Sequence, residues 1–432
     1  MIKYWMLVVC FYWCQALACA QTLPFTIVLG NDCHLGLMDE HGKELLPKTY
    51  ATIDVESVGN AYLISTRVKQ TAAFFLYQGE KMIELPYPVV ERFNDRLLKV
   101  GNGDQYGLIN TDGKGIAVIN YQSIASAGVE AAITQLQNRY GVLNVDGKVL
   151  LANKYEAVQY WEGTGFWMQK EGVYTLHDEG GLLKQTTAYT AVQVPKGSWS
   201  LCAVAQKGKW GLVNKTATIV VPLKYQQIRF FEAGIIATQH IDGQWELWTA
   251  DGKRLSEERF ETVQTCGQVG CMVKKGKKHG VIASTGKFKL PLQENLLVYI
   301  NKHCLLEQQG TAWKVIDLNT QKQLDIAFDA YQYQHNWTGV LVQINQQWGW
   351  MNFDGQLILL PAYSDVSVID DKTILVTGTN KKLGAISTTG QQLLPMEYIA
   401  IVPKGKVYKV KQTNTSWFYV DKTGTRKACQ VY

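Results

Sequence analysis

A group of glycine and aromatic residues recurs along the chain at a nearly fixed spacing. In the copy centred on Gly349, Trp348 precedes this central glycine, a second glycine follows six residues later, and Tyr363 follows fourteen residues later. The same frame occurs about twelve times in the 432 residues, and most copies begin 34 or 35 residues apart. A period of this length indicates a repeat protein, in which each unit buries its apolar face against its neighbours.

The copies keep this frame to different degrees. The clearest have an aromatic residue followed by the central glycine: Tyr106-Gly107, Tyr140-Gly141, Trp210-Gly211 and Trp348-Gly349. Four copies replace the central glycine, with Ala73, Glu246, Lys314 or Phe418. The copy at Gly172 contains an insertion, which moves its tyrosine to Tyr189. We expect the aromatic residues to pack between units, and the glycine to admit another backbone or ring at close range.

Each copy has the pattern of short strands joined by turns. Asp or Thr precedes the second glycine in seven copies, at Asp112, Asp146, Asp251, Asp354, Thr285, Thr389 and Thr423. These pairs predict hairpin turns, because glycine adopts a positive φ and the Asp or Thr side chain bonds to nearby backbone. No segment has the period of an amphipathic helix. The sequence therefore predicts an all-β fold, a tandem array of about twelve antiparallel β-units of 34–35 residues.

The repeated segments resemble a known family. The segments "QYGLINTDG", "RYGVLNVDGKVL", "KWGLVNKTATIVVPLKY" and "QWGWMNFDGQLILLPAY" are similar to the WG-repeat family of bacterial exported proteins, named for its Trp-Gly pair. The resemblance covers essentially the whole chain after the N-terminal segment. It implies an all-β repeat protein, often exported, and it brings no catalytic residues to carry over. The chain departs from the family pattern at the four replaced glycines and at the insertion near Tyr189.

Two architectures suit units of this kind. Four-stranded units are typical of propeller blades, and about twelve of them would form two rings, because propellers have fewer blades. We favour propeller-like blades, and the alternative is an open β-solenoid or superhelical ribbon, which needs no ring closure. The array is expected to span residues 21–432, with any division into two halves near residues 230–235.

The N-terminus predicts export. Lys3 is followed by an apolar stretch that ends near Trp13, and small residues then complete a signal peptide over residues 1–20. A lipid anchor at Cys19 is the alternative. No later segment is long and apolar enough for a transmembrane helix. We therefore expect an exported protein that is periplasmic, outer-membrane-associated or secreted.

Charge and cysteine content argue against several classes of protein. The net charge of +6 is mild, and the basic run Lys274–Lys278 predicts a solvated hairpin tip, so no nucleic-acid partner is expected. Six cysteines remain after signal-peptide cleavage: Cys33, Cys202, Cys266, Cys271, Cys304 and Cys429. Their density is far below that of a disulfide scaffold, and their spacing suits no common zinc site. We expect them to be small, buried apolar side chains.

Sequence motifs give little support for catalysis. The chain has no G-x-S-x-G, P-loop, H-E-x-x-H or EF-hand motif, and its histidines are scattered. We therefore expect no catalytic residues, no metal site and no cofactor, and a protein that is not an enzyme. Because the paired acids of glycosidases can lie far apart in sequence, an exported glycan-acting hydrolase stays as an alternative.

Tryptophans outside the repeated frame are the best candidates for binding. Trp161 and Trp167 lie in "YWEGTGFW" and Trp199 lies in "KGSWS", on either side of the inserted copy, where the repeat is least regular. Loop tryptophans stack on sugar rings or anchor a protein partner, and the alternative for each is packing in the core. We expect a non-enzymatic repeat scaffold that binds a protein or glycan of the bacterial envelope. A purely structural envelope protein is the third hypothesis.

Overall fold

The computed structural model describes most of the chain. The described residues are 23–29, 34–265, 267–301, 303–334, 336–404, 407–412, 417–421 and 424–427. The predicted signal peptide (residues 1–20) and the alternative lipid site at Cys19 lie outside them, as do Cys33, Cys266, Thr423 and Cys429.

The chain divides into two compact units. Unit 1 contains the described residues up to Gly172 together with His177–Leu183, and unit 2 contains Val173–Leu176 and the described residues from Lys184 onward. The division thus falls at the inserted copy of the repeat. The segment near residues 230–235, named above for any division into two halves, lies inside unit 2.

The regular elements of the described residues are β-strands, in twelve antiparallel sheets of three or four strands. The first five sheets are sheet 1 with β1 (Phe25–Leu29), β2 (Leu35–Asp39) and β3 (Glu44–Tyr50); sheet 2 with β4 (Thr52–Val58), β5 (Ala61–Val68), β6 (Thr71–Gln78) and β7 (Lys81–Leu85); sheet 3 with β8 (Val89–Arg92), β9 (Leu97–Gly101), β10 (Tyr106–Asn110) and β11 (Gly115–Tyr121); sheet 4 with β12 (Ser123–Ala127), β13 (Ala131–Leu136), β14 (Arg139–Asn144) and β15 (Val149–Tyr155); and sheet 5 with β16 (Ala157–Trp161), β17 (Gly165–Lys170), β18 (Val173–His177) and β19 (Leu183–Tyr189).

The remaining seven sheets lie in unit 2. They are sheet 6 with β20 (Ala191–Gln193), β21 (Leu201–Gln206), β22 (Lys209–Asn214) and β23 (Ile219–Tyr225); sheet 7 with β24 (Gln227–Phe231), β25 (Ile235–Gln239) and β26 (Trp245–Thr249); sheet 8 with β27 (Thr262–Thr265), β28 (Cys271–Lys275), β29 (Lys278–Ile282) and β30 (Phe288–Gln293); sheet 9 with β31 (Leu297–Asn301), β32 (Cys304–Gln309), β33 (Ala312–Asp317) and β34 (Lys322–Phe328); sheet 10 with β35 (Ala330–Gln332), β36 (Gly339–Ile344), β37 (Gln347–Asn352) and β38 (Leu357–Tyr363); sheet 11 with β39 (Asp365–Val368), β40 (Thr373–Thr377), β41 (Leu383–Ser387) and β42 (Gln392–Tyr398); and sheet 12 with β43 (Ala400–Lys404), β44 (Val407–Lys411), β45 (Trp417–Asp421) and β46 (Arg426–Lys427).

Each sheet is a meander, in which a strand pairs antiparallel with the next strand of the chain. In sheet 4, for example, β12 pairs with β13, β13 with β14, and β14 with β15. This is the form of a propeller blade, as the sequence predicted. The phase differs from the sequence frame, however: Tyr155 ends the last strand of sheet 4, and the short strand after it opens sheet 5. One copy of the repeat therefore contributes to two successive sheets.

Successive sheets share apolar cores. In unit 1, Val142 of sheet 4 and Phe166 of sheet 5 belong to one buried cluster. In unit 2, Leu212 of sheet 6 and Ile236 of sheet 7 belong to another. Apolar burial stabilises a fold by roughly 25 cal/mol per Å², and a lone sheet leaves one of its faces in water. The predicted packing of units on their neighbours is confirmed within each unit.

The central glycine lies beneath a β-bulge of the next strand. Tyr140 pairs with Tyr155, but Val142 pairs with Leu151, so β15 has extra residues opposite Gly141. A Cβ atom built on Gly141 would lie 2.6 Å from the carbonyl oxygen of Leu151. The same is found at Gly211 and Gly349, where the distances to the carbonyl oxygens of Val221 and Leu359 are 2.5 and 2.4 Å. Glycine is required because no side chain fits under the bulge.

The aromatic residue before the central glycine lies opposite the tyrosine of its own copy. This cross-strand pairing occurs in Tyr106–Tyr121, Tyr140–Tyr155, Trp210–Tyr225 and Trp348–Tyr363. Trp210 and Trp348 also pack against core clusters that include residues of the following sheet. The expected packing between units is thus present, and the pair within the sheet adds to it.

The hairpin turns are held by a residue that the sequence analysis passed over. Asn144 Oδ1 accepts hydrogen bonds from the backbone N–H of Asp146 and Lys148, at 3.1 and 2.8 Å. Gly147 has a φ of 85°, and its N–H donates to the Asn144 carbonyl. Equivalent bonds are made by Asn110, Asn214 and Asn352. The predicted turns are confirmed, but the asparagine three residues after the central glycine is their main side-chain acceptor.

Cysteines and the basic run occupy the predicted environments. Cys202, Cys271 and Cys304 are buried strand residues. In the basic run, β28 ends at Lys275 and β29 begins at Lys278, so the lysines surround an exposed hairpin turn.

Candidate functional site

The two tryptophans of "YWEGTGFW" lie inside sheet 5. Trp161 ends β16, Trp167 lies in β17, and both side chains are 0% exposed. The segment is a hairpin between paired strands, in which Trp161 pairs with Gly165, and it is not a loop. The expectation that Trp161 and Trp167 form an exposed binding surface is therefore corrected: β17 is buried on both faces, since Phe166 and Met168 are also 0% exposed.

Trp199 is the predicted binding residue that reaches the surface. It lies just before β21 and is partly exposed. Its indole Nε1 donates to the carbonyl of Lys196 at 3.1 Å. Its ring meets Phe230 edge to face, with 5.1 Å between the ring centroids. Trp199 belongs to unit 2, whereas Trp161 and Trp167 belong to unit 1.

Phe230, which contacts Trp199, also lines an open groove between sheets 6 and 7, both in unit 2. We call it the Arg229 groove, and its lining residues are Gln193, Trp210, Gln227, Ile228, Arg229, Phe230 and Phe231. Its volume is about 480 Å³. The groove combines two kinds of lining, the aromatic rings of Trp210 and Phe230 and the exposed polar groups of Gln193, Gln227 and Arg229.

Strand β24 positions the polar side of the groove. Successive side chains of a strand point to opposite faces, and here Ile228 is buried while Gln227 and Arg229 are exposed. The Arg229 guanidinium lies over the ring of the buried Trp245, 4.6 Å from its centroid. This cation–π contact holds the guanidinium against the Trp245 ring while the Arg229 side chain stays exposed to solvent.

The residue after Trp245 forms a buried ion cluster, which we call the Glu246 centre. Glu246 Oε2 accepts a hydrogen bond of 2.7 Å from the Tyr225 hydroxyl. Its Oε1 atom lies 2.9 Å from His240 Nε2, and it accepts hydrogen bonds from Arg254 Nη2 at 3.3 Å and Arg259 Nε at 3.2 Å. Only 5% of the Glu246 side chain is exposed. The carboxylate is thus surrounded by Tyr225 of β23, His240 of the β25–β26 turn, and Arg254 and Arg259 of the loop after β26.

Protonation in the Glu246 centre is fixed by these contacts. Burial raises the pKa of Glu246, but the hydrogen bond from Tyr225 and the nearby His240 and Arg254 outweigh it and bring this pKa to about 2. Burial, and then the Glu246 carboxylate, raise the pKa of Tyr225. At neutral pH the carboxylate is therefore ionised and the phenol protonated. Such a stable pair is suited to holding strands in place.

In sheet 7, the contacts of the Glu246 centre replace the pairing of a fourth strand. Sheet 7 has three strands, and the chain after β26 touches it through the isolated bridges Trp248–Arg254 and Trp245–Phe260. In this copy the segment that would form the bulged fourth strand brings Arg254 and Arg259 to Glu246 instead. The sequence showed the loss of the glycine but not these partners.

In sheet 9, where Lys314 replaces the central glycine, a buried carboxylate is again surrounded by hydrogen-bond donors. Glu307 is 4% exposed and lies directly opposite Lys314, which replaces the central glycine of sheet 9. Its carboxylate accepts hydrogen bonds of 2.6 to 3.1 Å from four carboxamide nitrogens, those of Gln293, Asn295, Gln309 and Gln323. In sheet 2, by contrast, β7 pairs with β6 in an unbroken register, so Ala73 meets no bulge. Glycine is lost where the next strand no longer folds over it.

Within the described ranges, no group of three or more His, Cys, Asp or Glu side chains is arranged to hold a metal ion. Of the part of the chain that the structure describes, no helix has the length and hydropathy of a membrane span.

Comparisons with known proteins concern the repeat and the fold. The family model described as "WG containing repeat" matches residues 210–245. No curated protein matches the sequence significantly. Similar solved structures include Hsv2p of Kluyveromyces lactis, at 9% identity, with 60% of this chain and 89% of that chain covered and a TM-score of 0.23. PorZ, a bacterial surface component of the type-IX secretion system of Porphyromonas gingivalis, is 10% identical over 94% of this chain and 73% of its own, with a TM-score of 0.21.

The matched segment begins at Trp210 and Gly211 and ends at Trp245, so it spans the bulged strand pair of sheet 6 and the first strands of sheet 7. The same frame of aromatic residue, bulge-covered glycine and hairpin glycine recurs from sheet to sheet in both units. Residues 210–245 therefore match the WG repeat, and they lie within an all-β repeat scaffold.

Proposed function

We propose that this protein is an exported, non-enzymatic repeat scaffold that binds a glycan of the bacterial envelope in the Arg229 groove. The observation that carries the proposal is the lining of the groove, which combines the aromatic residues Trp210 and Phe230 with the exposed polar residues Gln193, Gln227 and Arg229. Export is supported by the pattern of residues 1–20.

The lining suits the chemistry of a sugar. A pyranose ring has apolar C–H faces and a rim of hydroxyl groups, so it matches a site with aromatic rings on one side and hydrogen-bonding groups on the other. Gln193 and Gln227 each offer both a donor and an acceptor, and Arg229 offers several donors. Trp210 and Phe230 supply rings that the core already holds in place, which lowers the entropic cost of binding.

The shape of the groove favours a small chain of sugars over a protein partner. Small-ligand sites are concave and typically about 300–1,000 Å³ in volume, and the groove has about 480 Å³. A stable protein interface usually buries roughly 800 Å² on each side and needs a broader surface. The lining residues bring amides, a guanidinium and rings, and none is a carboxylate, which supports binding rather than acid-catalysed hydrolysis.

A glycan array with the purified protein tests the proposal, followed by titration of the strongest hit. Removing the Arg229 side chain should weaken binding about tenfold, because a hydrogen bond to a charged group is lost. The Gln193→Ala variant should weaken it about threefold to tenfold. Gln264→Ala is the matched control, since Gln264 occupies the same position of β27, four residues after the tyrosine-equivalent Phe260, and is exposed there. It should bind as the parent does.

Several results would count against the proposal. Equal binding by the Gln193→Ala and Gln264→Ala variants would place the glycan elsewhere. Absence of any glycan ligand, together with capture of an envelope protein that the Arg229→Ala variant fails to capture, would make the groove a protein site. Release of shortened glycans during the titration would favour the hydrolase alternative.

A further inference from the structure

A second cavity lies in unit 1, between sheets 4 and 5. We call it the Tyr160 pocket, and the residues that matter to its chemistry are Val129, Glu130, Tyr160, Phe166 and Glu179. Its volume is about 190 Å³. The β12–β13 turn forms one wall, and the β16–β17 hairpin and the turn around Glu179 form the other. The segment "YWEGTGFW" therefore does line a cavity, through Tyr160 and Phe166 rather than through its tryptophans.

The aromatic wall of the pocket is fixed in position. Phe166 is 0% exposed, and the Tyr160 ring lies against it with 5.3 Å between centroids and 40° between planes. The Tyr160 hydroxyl donates to Glu179 Oε1 at 3.1 Å. On its other side it lies over Gly128, where a Cβ atom would be 2.7 Å from the hydroxyl oxygen. Gly128 also has a φ of 68°, a conformation that favours glycine. Because it has no side chain, the Tyr160 hydroxyl can lie close to its backbone.

Negative charge surrounds this wall. Glu130 and Glu179 are exposed lining residues. The guanidinium of Arg96 lies 3.6 Å from Glu130 and is shared with Asp146 at 3.4 Å. One cation is thus divided between two exposed carboxylates, and Glu179 has no share in it. Burial, the hydrogen bond to Glu179 and the charges of Glu179 and Glu162 all raise the pKa of the Tyr160 hydroxyl.

These features point to a cationic ligand with an apolar stem. An aromatic face attracts a cation through its quadrupole, carboxylates attract it through charge, and both effects grow when the site is partly dehydrated. The exposed apolar side chain of Val129 suits methylene groups. The small volume admits one such group and excludes a bulky ligand. A neutral ligand would gain little from the two carboxylates, and an anionic ligand would be repelled by them.

We propose that the Tyr160 pocket binds an aliphatic ammonium group, as carried by a lysine side chain or by a small free alkylamine. The proposal concerns unit 1 and is independent of the Arg229 groove, so each can fail without the other.

The test is a titration of the full protein with n-butylammonium, with a lysine-containing peptide blocked at both ends, and with n-butanol and pentanoate as neutral and anionic controls. The cations should bind, the controls should bind at least about fivefold more weakly, and added salt should weaken the cations. The Glu179→Gln and Glu130→Gln variants should each reduce cation binding about threefold to fivefold. Glu171→Gln is the matched control, because Glu171 is an exposed turn residue of unit 1 outside the lining, and it should change nothing.

The outcomes separate the two sources of the ammonium group. Tighter binding of the peptide than of n-butylammonium supports a partner's lysine, and equal binding supports a free amine. Binding of n-butanol as strong as that of n-butylammonium would overturn the proposal, and so would a Glu179→Gln variant that binds the cation as the parent does. Thermal melts of the variants confirm that the comparison is made between folded proteins.

Discussion

Replacing Glu246 with glutamine removes the negative charge that Tyr225, Arg254 and Arg259 share, with little change in shape. The carboxylate is 5% exposed, and its pKa lies at about 2 instead of the ordinary 4.5. This difference corresponds to about 3 kcal/mol of stabilisation at neutral pH, at 1.36 kcal/mol for each pKa unit. Arg254 and Arg259 are 35% and 40% exposed, so they regain hydration when the charge is lost. We therefore expect the Glu246→Gln variant to lose about 2 to 3 kcal/mol.

The pH dependence of this loss has a defined sign. The pKa of Glu246 is lower in the folded state than in the unfolded state, so its contribution is complete above pH 4.5 and is lost as the pH falls toward 2. The difference in stability between the parent and the Glu246→Gln variant should fall by about half or more between pH 7 and pH 3.

Hydrogen exchange measured in increasing urea suits this test, because a chain with two units need not unfold in a single step. The readout is the opening free energy of amides in β25 and β26. Glu257→Gln is the matched control, since Glu257 also pairs with Arg254 but is 89% exposed, and it should cost less than about 0.5 kcal/mol. If both variants lose the same amount, or if the loss at Glu246 is unchanged at pH 3, the reasoning about the buried charge is refuted.

The Glu246→Gly variant tests whether glycine is favoured at every central position or only where a bulge covers it. If glycine were favoured at every central position, Glu246→Gly would stabilise sheet 7. We expect it to destabilise more than Glu246→Gln, because no bulge covers this position and glycine adds about 1 kcal/mol of backbone entropy to the lost side chain. A variant more stable than Glu246→Gln would contradict the account of the bulge.

Three further predictions concern the repeat itself, each checked by thermal or urea unfolding. Gly211→Ala should cost about 1 to 3 kcal/mol, because its Cβ would lie 2.5 Å from a carbonyl oxygen. Gly115→Ala is its control, since no atom lies within 4 Å of a Cβ there, and it should be neutral or slightly stabilising. Asn144→Ala should cost about 1 kcal/mol, since two turn N–H groups lose their acceptor. Trp161→Ala should cost about 3 to 5 kcal/mol because the ring is fully buried, and Trp199→Ala should cost clearly less. Equal losses within the glycine or tryptophan pair, or no loss at Asn144, would contradict these assignments.

Much of the fold could be predicted from the sequence, because the same turn and bulge residues recur in many copies of the repeat. The glycine of each hairpin and the glycine under each bulge are set by backbone geometry within a single copy, as at Gly147 and Gly141. The phase of the sheets could not be predicted in this way. The period is the same wherever counting starts, and only strand pairing shows that the strand after Tyr155 belongs to the following sheet.

The candidate sites were predicted less well, since they depend on contacts between distant residues. Trp161 and Trp167 were expected at the surface because they interrupt the frame, yet the run from Phe166 to Met168 is apolar throughout and is a buried strand. The partners of Glu246 come from a loop whose path no periodicity describes. The Arg229 groove joins residues of three strands, so no single stretch of sequence contains it.

Hydrogen–deuterium exchange with and without the best glycan from the array tests the central claim most directly. The account predicts that bound glycan slows exchange in the peptides that contain β20, the start of β22 and β24, where Gln193, Trp210 and Arg229 lie, with little change elsewhere in the chain. Protection confined to other sheets, or no protection at saturating glycan, would contradict the assignment of this groove as the binding site.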